Sequence, residues 1–299
     1  DFTCDFLRQK GFDAIFLAVG AWRDRGLGLA EEGAVQGIVS GIKFLESFQA
    51  EPVEVHGHVV VIGGGNTAID AARTSVRAGA DRVTIVYRRG RDEMPANPAE
   101  IVAAEEEGVA FRFLASPHAL RTESGVVTGL VVRTMELGEP DPSGRRRPTA
   151  VPGSEQVVPC SWIVEAVGQM PNLDCLQAAG VGALGTTRWD TIDATEQTLQ
   201  TNVPDIFTGG DCFTGPSLMV NAIGAGRYAA RSIHYWVTTG AIPPIEHRQT
   251  ELISESLFDS IVGVLPKPRV HEPVVALAER LGSFREVEGT IDEEKARYE

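Results

Sequence analysis

The sequence predicts an α/β fold built around a parallel β-sheet. Three observations support this prediction: short apolar strands that end at a glycine, apolar residues at helical spacing between those strands, and one complete strand–helix–strand unit. The chain has 299 residues, of which 43% are hydrophobic, so it can bury a substantial core. We expect two domains rather than one.

The first predicted elements precede residue 50. Residues 12–19, with the sequence FDAIFLAV, form a short apolar run closed by Gly20, which is typical of a buried parallel strand. Residues 41–48 follow, and their apolar side chains recur at helical spacing.

A strand–helix–strand unit comes next. Residues 58–62 are β-branched and predict a strand, residues 66–78 predict a helix of small side chains, and residues 82–87 predict a second strand ending in charge. These elements together occupy about 30 residues, the length of a βαβ motif. A helix at 98–107 and a strand at 109–114 are predicted after it.

The second half of the sequence predicts further strands and one long helix. Residues 126–135 and 156–159 form a pair of strands within a predicted β-meander. A strand at 162–167 ends at a glycine, and a short strand at 205–207 precedes a glycine pair. Residues 215–237 predict a loop followed by a long helix.

The charge pattern argues against a nucleic-acid partner. The net charge is -14, whereas a nucleic-acid surface needs clustered Lys and Arg. The one dense basic run, Arg145, Arg146 and Arg147, follows prolines and a glycine. We interpret this run as a solvated hairpin loop.

Several features favour a cytoplasmic protein. No apolar run reaches the ~18 residues needed to span a bilayer, and no signal peptide opens the sequence. The cysteines Cys4, Cys160, Cys175 and Cys212 are scattered without a C-x-x-C pair, which favours reduced thiols. The histidines lack ligand spacing, so no metal site is predicted. Because Asp1 rather than Met opens the sequence, we expect a longer parent protein.

The strongest chemical motif is VVVIGGGNTA at residues 59–68. It matches G-x-G-x-x-A between a predicted strand and a predicted helix, where glycines permit a tight turn and let a pyrophosphate approach the helix N-terminus. The predicted cofactor contacts are Gly63, Gly64, Gly65, Asn66, Thr67 and Ala68. A second match at residues 224–229 lies in helical sequence without a preceding strand, so we assign it no cofactor.

The end of the second strand favours NADP over NAD. An NAD site places an acid there, about 20 residues after the glycines, to bind the ribose 2′-hydroxyl. Here the strand is followed by Arg88, Arg89 and Arg91. Guanidinium groups match a 2′-phosphate. We therefore predict NADPH, with an NADH-using relative as the alternative.

A second candidate site follows the short strand at 205–207. Asp211 stands after two glycines, where a carboxylate can accept hydrogen bonds from a polyol and a following helix N-terminus can stabilise negative charge. Alone, Asp211 would be interpreted as a turn or cap residue.

These motifs together resemble those of two known groups of proteins. Residues 17–20 (LAVG), 165–172 (EAVGQMPN) and 208–211 (TGGD) resemble the motifs of flavoprotein reductases with two dinucleotide-binding domains. Residues 87–96 (YRRGRDEMPA), 105–109 (EEEGV), 135–141 (MELGEPD) and 209–216 (GGDCFTGP) resemble the small, NADPH-oxidising subunit of glutamate synthase. The resemblance covers residues 1 to about 240.

The resemblance implies a hydride passed from NADPH to FAD, and then electrons passed through iron–sulfur clusters to a larger partner subunit. It implies that Asp211 contacts the FAD ribityl chain and that Pro216 and Ser217 lie near the flavin ring. Arg88, Arg89 and Arg91 would meet the 2′-phosphate. The further cofactor contacts expected from the shared motifs are Gly20, Val167, Gly168 and Gly210.

The resemblance also implies the domain organisation. We expect a Rossmann-like NAD(P)-binding domain at 52–170, inserted in a partial FAD-binding domain formed by 1–51 and 171–240, and a C-terminal extension at 241–299. The residues before the strand at 58–62 contain no second G-x-G-x-x-G, and no cysteine-rich cluster domain is present. The sequence thus contains only the C-terminal part of a split FAD-binding domain, so we expect FAD to bind in the full-length protein.

Two other interpretations stay open. A thioredoxin-reductase-like enzyme shares the architecture but needs a redox-active cysteine pair, and the sequence has no C-x-x-C. A non-catalytic module that binds a cofactor and docks a larger electron-transfer complex is the other. We nominate no catalytic acid or base, because the flavin carries the hydride chemistry.

Overall fold

The computed structural model describes residues 3–29, 32–50, 53–140, 144–174, 184–243 and 268–298, so Cys175 and much of the predicted extension lie outside the described residues. The strands are β1 (Ile15–Leu17), β2 (Arg23–Asp24), β3 (Ile38–Ser40), β4 (His58–Ile62), β5 (Arg82–Val86), β6 (Ala110–Arg112), β7 (Ala115–Glu123), β8 (Val126–Pro140), β9 (Arg146–Ala150), β10 (Gln156–Pro159), β11 (Trp162–Glu165), β12 (Gln169–Met170) and β13 (Ile206–Thr208). The helices are α1 (Cys4–Gln9), α2 (Gly41–Ala50), α3 (Asn66–Arg77), α4 (Pro98–Glu106), α5 (Asp211–Thr214), α6 (Met219–Thr239), α7 (Leu277–Arg280) and α8 (Glu293–Tyr298). The chain divides into two compact units, Asp1–Pro243 and Pro244–Glu299.

A five-stranded parallel sheet dominates the first unit, in the order β3-β11-β4-β5-β6. Val59, Val60 and Val61 on β4 are fully buried, because helices cover one face of the sheet and a β-meander covers the other. The predicted strand–helix–strand unit is confirmed, with β4 at the predicted bounds. We call this sheet, its helices and the meander the five-stranded lobe.

The β-meander joins β10, β8 and β7 in antiparallel order, and β9 extends β8 as a hairpin. The prediction that Arg145, Arg146 and Arg147 form a loop was wrong for the last two, which lie in β9. The reason is that β8 continues to Pro140 and so provides a pairing partner for this segment. All three arginines are exposed, as expected.

A separate two-stranded parallel sheet pairs β1 with β13, matching Ile15 with Ile206 and Leu17 with Thr208. Among the described residues, its core shares no member with the cores of the five-stranded lobe and includes Cys4, Ile15, Leu17, Leu173, Ile192, Ile206 and Cys212. The long helix α6 packs on β13, with Trp236 edge-on to Phe207. We call this sheet with α6 the two-stranded lobe. Chain order therefore inserts the five-stranded lobe between β1 and β13.

The sequence at 224–229 lies inside α6, so its assignment to a helix rather than to a cofactor-binding turn is confirmed. In the second unit, the described residues 268–298 form the short helices α7 and α8 and one bridge between Val274 and Glu288. Among the residues that the structure describes, no helix has the length and apolar character needed to cross a membrane.

Candidate cofactor-binding sites

The three glycines after β4 have different surroundings. A Cβ on Gly63 would overlap the backbone carbonyl of Ala166, and the φ of Gly63 is +150°. A Cβ on Gly64 would lie 2.5 Å from the ring of Tyr87. A Cβ on Gly65 would meet no atom within 4 Å. Two glycines therefore allow close packing, and the third opens the turn to a ligand.

Helix α3 begins directly after this open position. Gly65 is its N-cap, has an extended backbone, and provides no side chain to cap the helix. The first amides of a helix have no intrahelical acceptor, so those of Asn66 and Thr67 are available to an anion, which the helix dipole also favours. Ala68 is fully buried, as a close helix–sheet contact requires.

The segment after β5 folds back over the glycine turn. The amide of Ala96 donates to the carbonyl of Gly64 at 3.2 Å, and the amide of Asn97 donates to Oδ1 of Asn66 at 3.0 Å. The Tyr87 hydroxyl donates to the carbonyl of Glu93 at 2.8 Å. This segment, residues 88–97, thus holds the turn in place.

Sequence reasoning missed this supporting role. It assigned no function to the tripeptide Met94-Pro-Ala, yet Met94 and Ala96 are buried against the core of the five-stranded lobe. Two apolar residues in an otherwise polar loop were the available signal. Asn97 also caps α4, because its Oδ1 accepts from the amide of Ala99 at 3.0 Å.

The three predicted phosphate-binding arginines occupy different environments. Arg88 is exposed and makes no hydrogen bond or ion pair within the described part of the chain. Arg89 is only 5% exposed, and its Nε donates to the carbonyl of Arg146 at 2.8 Å. Arg91 forms a two-point ion pair with Glu105, which raises the pKa of Arg91 and lowers that of Glu105.

The electrostatic environment of Arg88 is unfavourable to its own charge. Partial desolvation and then the positive charge of Arg89 lower the pKa of Arg88, and the charge of Arg145 acts in the same direction. Because an arginine side chain nevertheless stays protonated, this point carries concentrated positive charge at the carboxyl end of β5. An anion placed there would relieve the repulsion.

The second candidate site is a cleft of about 320 Å³ in the two-stranded lobe. Its lining residues are Phe16, Ala18, Gly20, Gly209, Gly210, Asp211, Ser217, Met219 and Ala222. The pairing of β1 with β13 thus brings together four predicted residues: Gly20, Gly210, Asp211 and Ser217. Phe16, Ala18, Met219 and Ala222 were not predicted, since only the long-range pairing and the start of α6 place them there.

Backbone geometry shapes this cleft. Gly20 and Gly210 have φ values of +70° and +71°, which favour glycine. Oδ1 of Asp211 accepts from the amide and the hydroxyl of Ser217 at 3.2 and 3.3 Å. The other carboxylate oxygen can accept hydrogen bonds from a bound polyol. Pro216 is exposed beside Ser217.

The remaining predicted residues, Val167 and Gly168, follow β11 and are exposed. The carbonyl of Gly168 accepts from the amide of Arg25 at 3.1 Å, next to the pairing of β2 with β12. These two residues therefore lie where the chain leaves the five-stranded lobe. In the described ranges, no group of His, Cys, Asp and Glu side chains could hold a metal ion.

Two comparisons with curated proteins cover nearly the whole chain. It is 40% identical to the NADP(+)-dependent formate dehydrogenase subunit beta of Moorella thermoacetica, over 98% of this chain and 42% of that protein. It is 37% identical to the NADPH-Fe(3+) oxidoreductase subunit beta of Geobacter sulfurreducens, over 98% of this chain and 48% of that protein. The chain thus spans less than half the length of these relatives.

A third relative bears out the resemblance stated from the motifs. The glutamate synthase [NADPH] small chain of Escherichia coli is 38% identical, over 76% of this chain and 51% of that protein.

Solved structures share the fold. FprA of Mycobacterium tuberculosis, in complex with NADPH, matches 81% of this chain and 68% of its own with a TM-score of 0.63 at 19% identity. Thioredoxin reductase of T. acidophilum matches 76% of this chain and 66% of its own, with a TM-score of 0.57 at 18% identity. The predicted α/β fold class, of the type found in flavoproteins with two dinucleotide-binding domains, is confirmed. The family model for pyridine nucleotide-disulphide oxidoreductases matches residues 6–226, and the chain belongs to this family.

Proposed function

We propose that this chain is the NADPH-binding part, with one half of the FAD-binding part, of a flavoprotein oxidoreductase subunit. When bound, NADPH and FAD supply the hydride transfer, and the electrons pass onward to iron–sulfur clusters or a larger partner subunit. The observation that carries the proposal is the open turn at Gly65, beside the exposed cation of Arg88.

The glycine turn fits a dinucleotide pyrophosphate. The space beside Gly65 lets a phosphate reach the backbone, and the amides of Asn66 and Thr67 are oriented by the helix to donate to it. Segment 88–97 holds the turn through the bonds of Ala96 to Gly64 and of Asn97 to Asn66. The turn's residues therefore bind and orient the cofactor.

The choice of NADPH over NADH rests on the residues after β5. The strand is followed by Tyr87, Arg88 and Arg89, and Arg88 projects a cation where an NAD site would present an acid. A 2′-phosphate would offset the repulsion around Arg88, whereas a 2′-hydroxyl would not. The names of the relatives from Moorella, Geobacter and Escherichia, which mention NADP or NADPH, support the same assignment.

The cleft of the two-stranded lobe fits part of FAD. Asp211 provides an acceptor for hydroxyl groups, and Gly20 and Gly210, whose positive φ values favour glycine, line the cleft with it. We assign the NAD(P)H-binding domain to residues 52–170, the FAD-binding parts to 1–51 and 171–240, and the extension to 241–299.

The relatives from Moorella and Geobacter are named as beta subunits, which supports an electron-accepting partner for this chain. We also assign the protein to the cytoplasm, in keeping with the free, buried thiols of Cys4, Cys160 and Cys212.

Calorimetric titration of the purified chain with NADPH and NADH tests the proposal, alongside an absorbance scan for flavin. We expect preferential NADPH binding, and Arg88→Ala should weaken NADPH about 10- to 100-fold while changing NADH less than about twofold. Arg121→Ala, at an exposed position on β7, controls for net charge. Equal losses for both cofactors would contradict the NADPH assignment, and no binding of either would favour the docking-module alternative.

A further inference from the structure

One wall of the cleft in the two-stranded lobe is formed by β1 and the chain that follows it. Every second residue of this stretch lines the cleft: Phe16, Ala18 and Gly20. Ile15 and Leu17, on the other side of the chain, are buried in the core, and Ala21 is buried as well. Because side chains alternate between the two sides of an extended chain, this pattern places Trp22 on the cleft side of the wall.

The indole of Trp22 lies directly against Gly20. A Cβ built on Gly20 would be 2.8 Å from Nε1 and 3.4 Å from Cδ1 of Trp22. A side chain at residue 20 would therefore displace the indole, and the φ of +70° at this position also favours glycine. Gly20 thus allows the indole to extend the wall of the cleft beyond β1.

This indole is largely exposed to solvent. Trp22 is 70% exposed, whereas Trp162 and Trp236 are each partly buried. The Nε1–H of Trp22 donates no hydrogen bond to the residues that the structure describes. An indole combines a large apolar surface with one donor, so a ligand with a planar ring and oxygen acceptors would satisfy both.

The cleft and the indole beside it fit one ligand chemistry. Asp211 offers an acceptor to hydroxyl groups, and the Phe16 ring forms part of the wall, with its Cζ 3.1 Å from a Cβ built on Gly209. A carboxylate that accepts from a polyol, together with two aromatic side chains, suits a ligand that joins a polyol to a planar ring. FAD has this composition.

We propose that Trp22 is a further FAD-binding residue, whose ring packs against the cofactor beside the polyol site and whose indole N–H donates a hydrogen bond to it. Gly20 is then a positioning residue, because it leaves the space that the indole occupies. The inference rests on the proposed assignment of the cleft to FAD. It adds a residue that the shared motifs, which end at Gly20 in this part of the sequence, do not contain.

The test is an NMR titration of the full chain with millimolar FAD and FMN. FMN lacks the adenosine that the turn after β4 could accept, and AMP, which has neither flavin ring nor polyol, is the control ligand. The indole N–H signal of Trp22, identified by its loss in Trp22→Phe, should shift together with the amides of Asp211 and Ser217, while the indole signal of Trp162 stays in place. Trp22→Ala should weaken FAD and FMN about five- to tenfold, and Trp22→Phe about two- to threefold, since Phe keeps a ring but lacks the donor.

The outcomes separate this inference from the proposed function. Trp189→Ala is the matched control, because Trp189 is also exposed. If FAD shifts Asp211 and Ser217 but not the Trp22 indole, or if Trp22→Ala binds flavin like Trp189→Ala, the role of Trp22 is overturned and the FAD cleft stands. If neither FAD nor FMN shifts any of the three residues, the assignment of the cleft to FAD fails as well. Unchanged NADPH affinity in Trp22→Ala shows that the variant is folded, and a selective loss of FAD and FMN supports the proposal.

Discussion

The two lobes each place glycines between a parallel strand and a helix, yet they build different sites. In the five-stranded lobe, β4 has a strand on each side and the 12-residue helix α3 follows the turn. In the two-stranded lobe, β13 pairs in parallel with β1 and is followed by the four-residue helix α5. A long helix offers aligned amides and a dipole to an anion.

The short helix contributes a carboxylate instead. Asp211 opens α5, and its oxygen is already bonded to Ser217. Glycines alone therefore do not define a phosphate site; the supporting helix and sheet decide which chemistry the turn can perform. We therefore expect the five-stranded lobe to bind its cofactor with the residues it contains.

The largest expected effect on stability comes from the ion pairs that hold helix α3. Glu107 is buried, and its carboxylate binds Arg73 and Arg77 on α3, at 2.8 and 3.0 Å. Burial opposes ionisation of Glu107, but the two arginines outweigh it and lower its pKa. Glu107→Gln should reduce the free energy of unfolding by about 3–5 kcal/mol, since it removes the buried charge that pairs with two arginines whose side chains are only 16% and 13% exposed.

Urea unfolding measures this change, with the exposed Glu123→Gln as control. A loss no greater than that of the control would show that the ionic contact does not fasten α3.

A smaller effect should distinguish two glycines within one turn. Gly64→Ala would place a methyl group against the Tyr87 ring, which its bond to Glu93 holds, and should cost about 1–3 kcal/mol of stability. Gly65→Ala has open space and should change stability by less than about 1 kcal/mol, while weakening NADPH on the order of tenfold. Thermal melts and calorimetry measure both quantities. Full NADPH affinity in Gly65→Ala would refute the assignment of the open space to a phosphate.

The two-stranded lobe should show a weaker ionic contact. Arg8 donates to Asp205 at 2.6 and 2.8 Å in a partly exposed pair, and this contact lowers the pKa of Asp205. A carboxylate with a depressed pKa stabilises the fold above its unfolded pKa of ~3.9, and the contribution is lost as the pH falls through the folded value. Asp205→Asn should cost about 1 kcal/mol or less near pH 7.

Unfolding free energies from pH 7 to pH 3 check the sign of this effect. The difference between Asp205→Asn and the unaltered chain should shrink toward low pH. A difference that grows on acidification would contradict the role of the pair.

The smallest effect is expected from Asp211. Asp211→Asn should leave the NADPH affinity of this chain within about twofold, because the cleft of the two-stranded lobe is assigned to FAD. In a longer form that binds flavin, the same change should weaken FAD retention, measured by absorbance. A loss of NADPH affinity in the present chain would contradict the assignment of NADPH to the five-stranded lobe and of FAD to the two-stranded lobe.

Local sequence patterns predicted much of the five-stranded lobe. Val59 to Ile62 form a continuous apolar run because β4 is buried on both faces, and the glycines mark its end. The pattern could not show that Arg89 is buried or that Arg146 lies in a strand. Both depend on the hairpin reaching the end of β5, a contact between residues 57 positions apart.

The cleft of the two-stranded lobe was less accessible to sequence reasoning. Its residues come together through the pairing of Ile15 with Ile206, and no local pattern encodes that register. The resemblance to flavoprotein motifs identified Gly20 and Asp211, whereas Phe16 and Met219 required the three-dimensional arrangement.

An amide NMR titration of the chain with NADPH tests the division between the lobes most directly. We expect the largest shifts at Gly65, Asn66 and Thr67, with a smaller change at Arg88 and none at Gly209 to Asp211. Shifts centred on Gly209 to Asp211, with the turn after β4 unaffected, would contradict it.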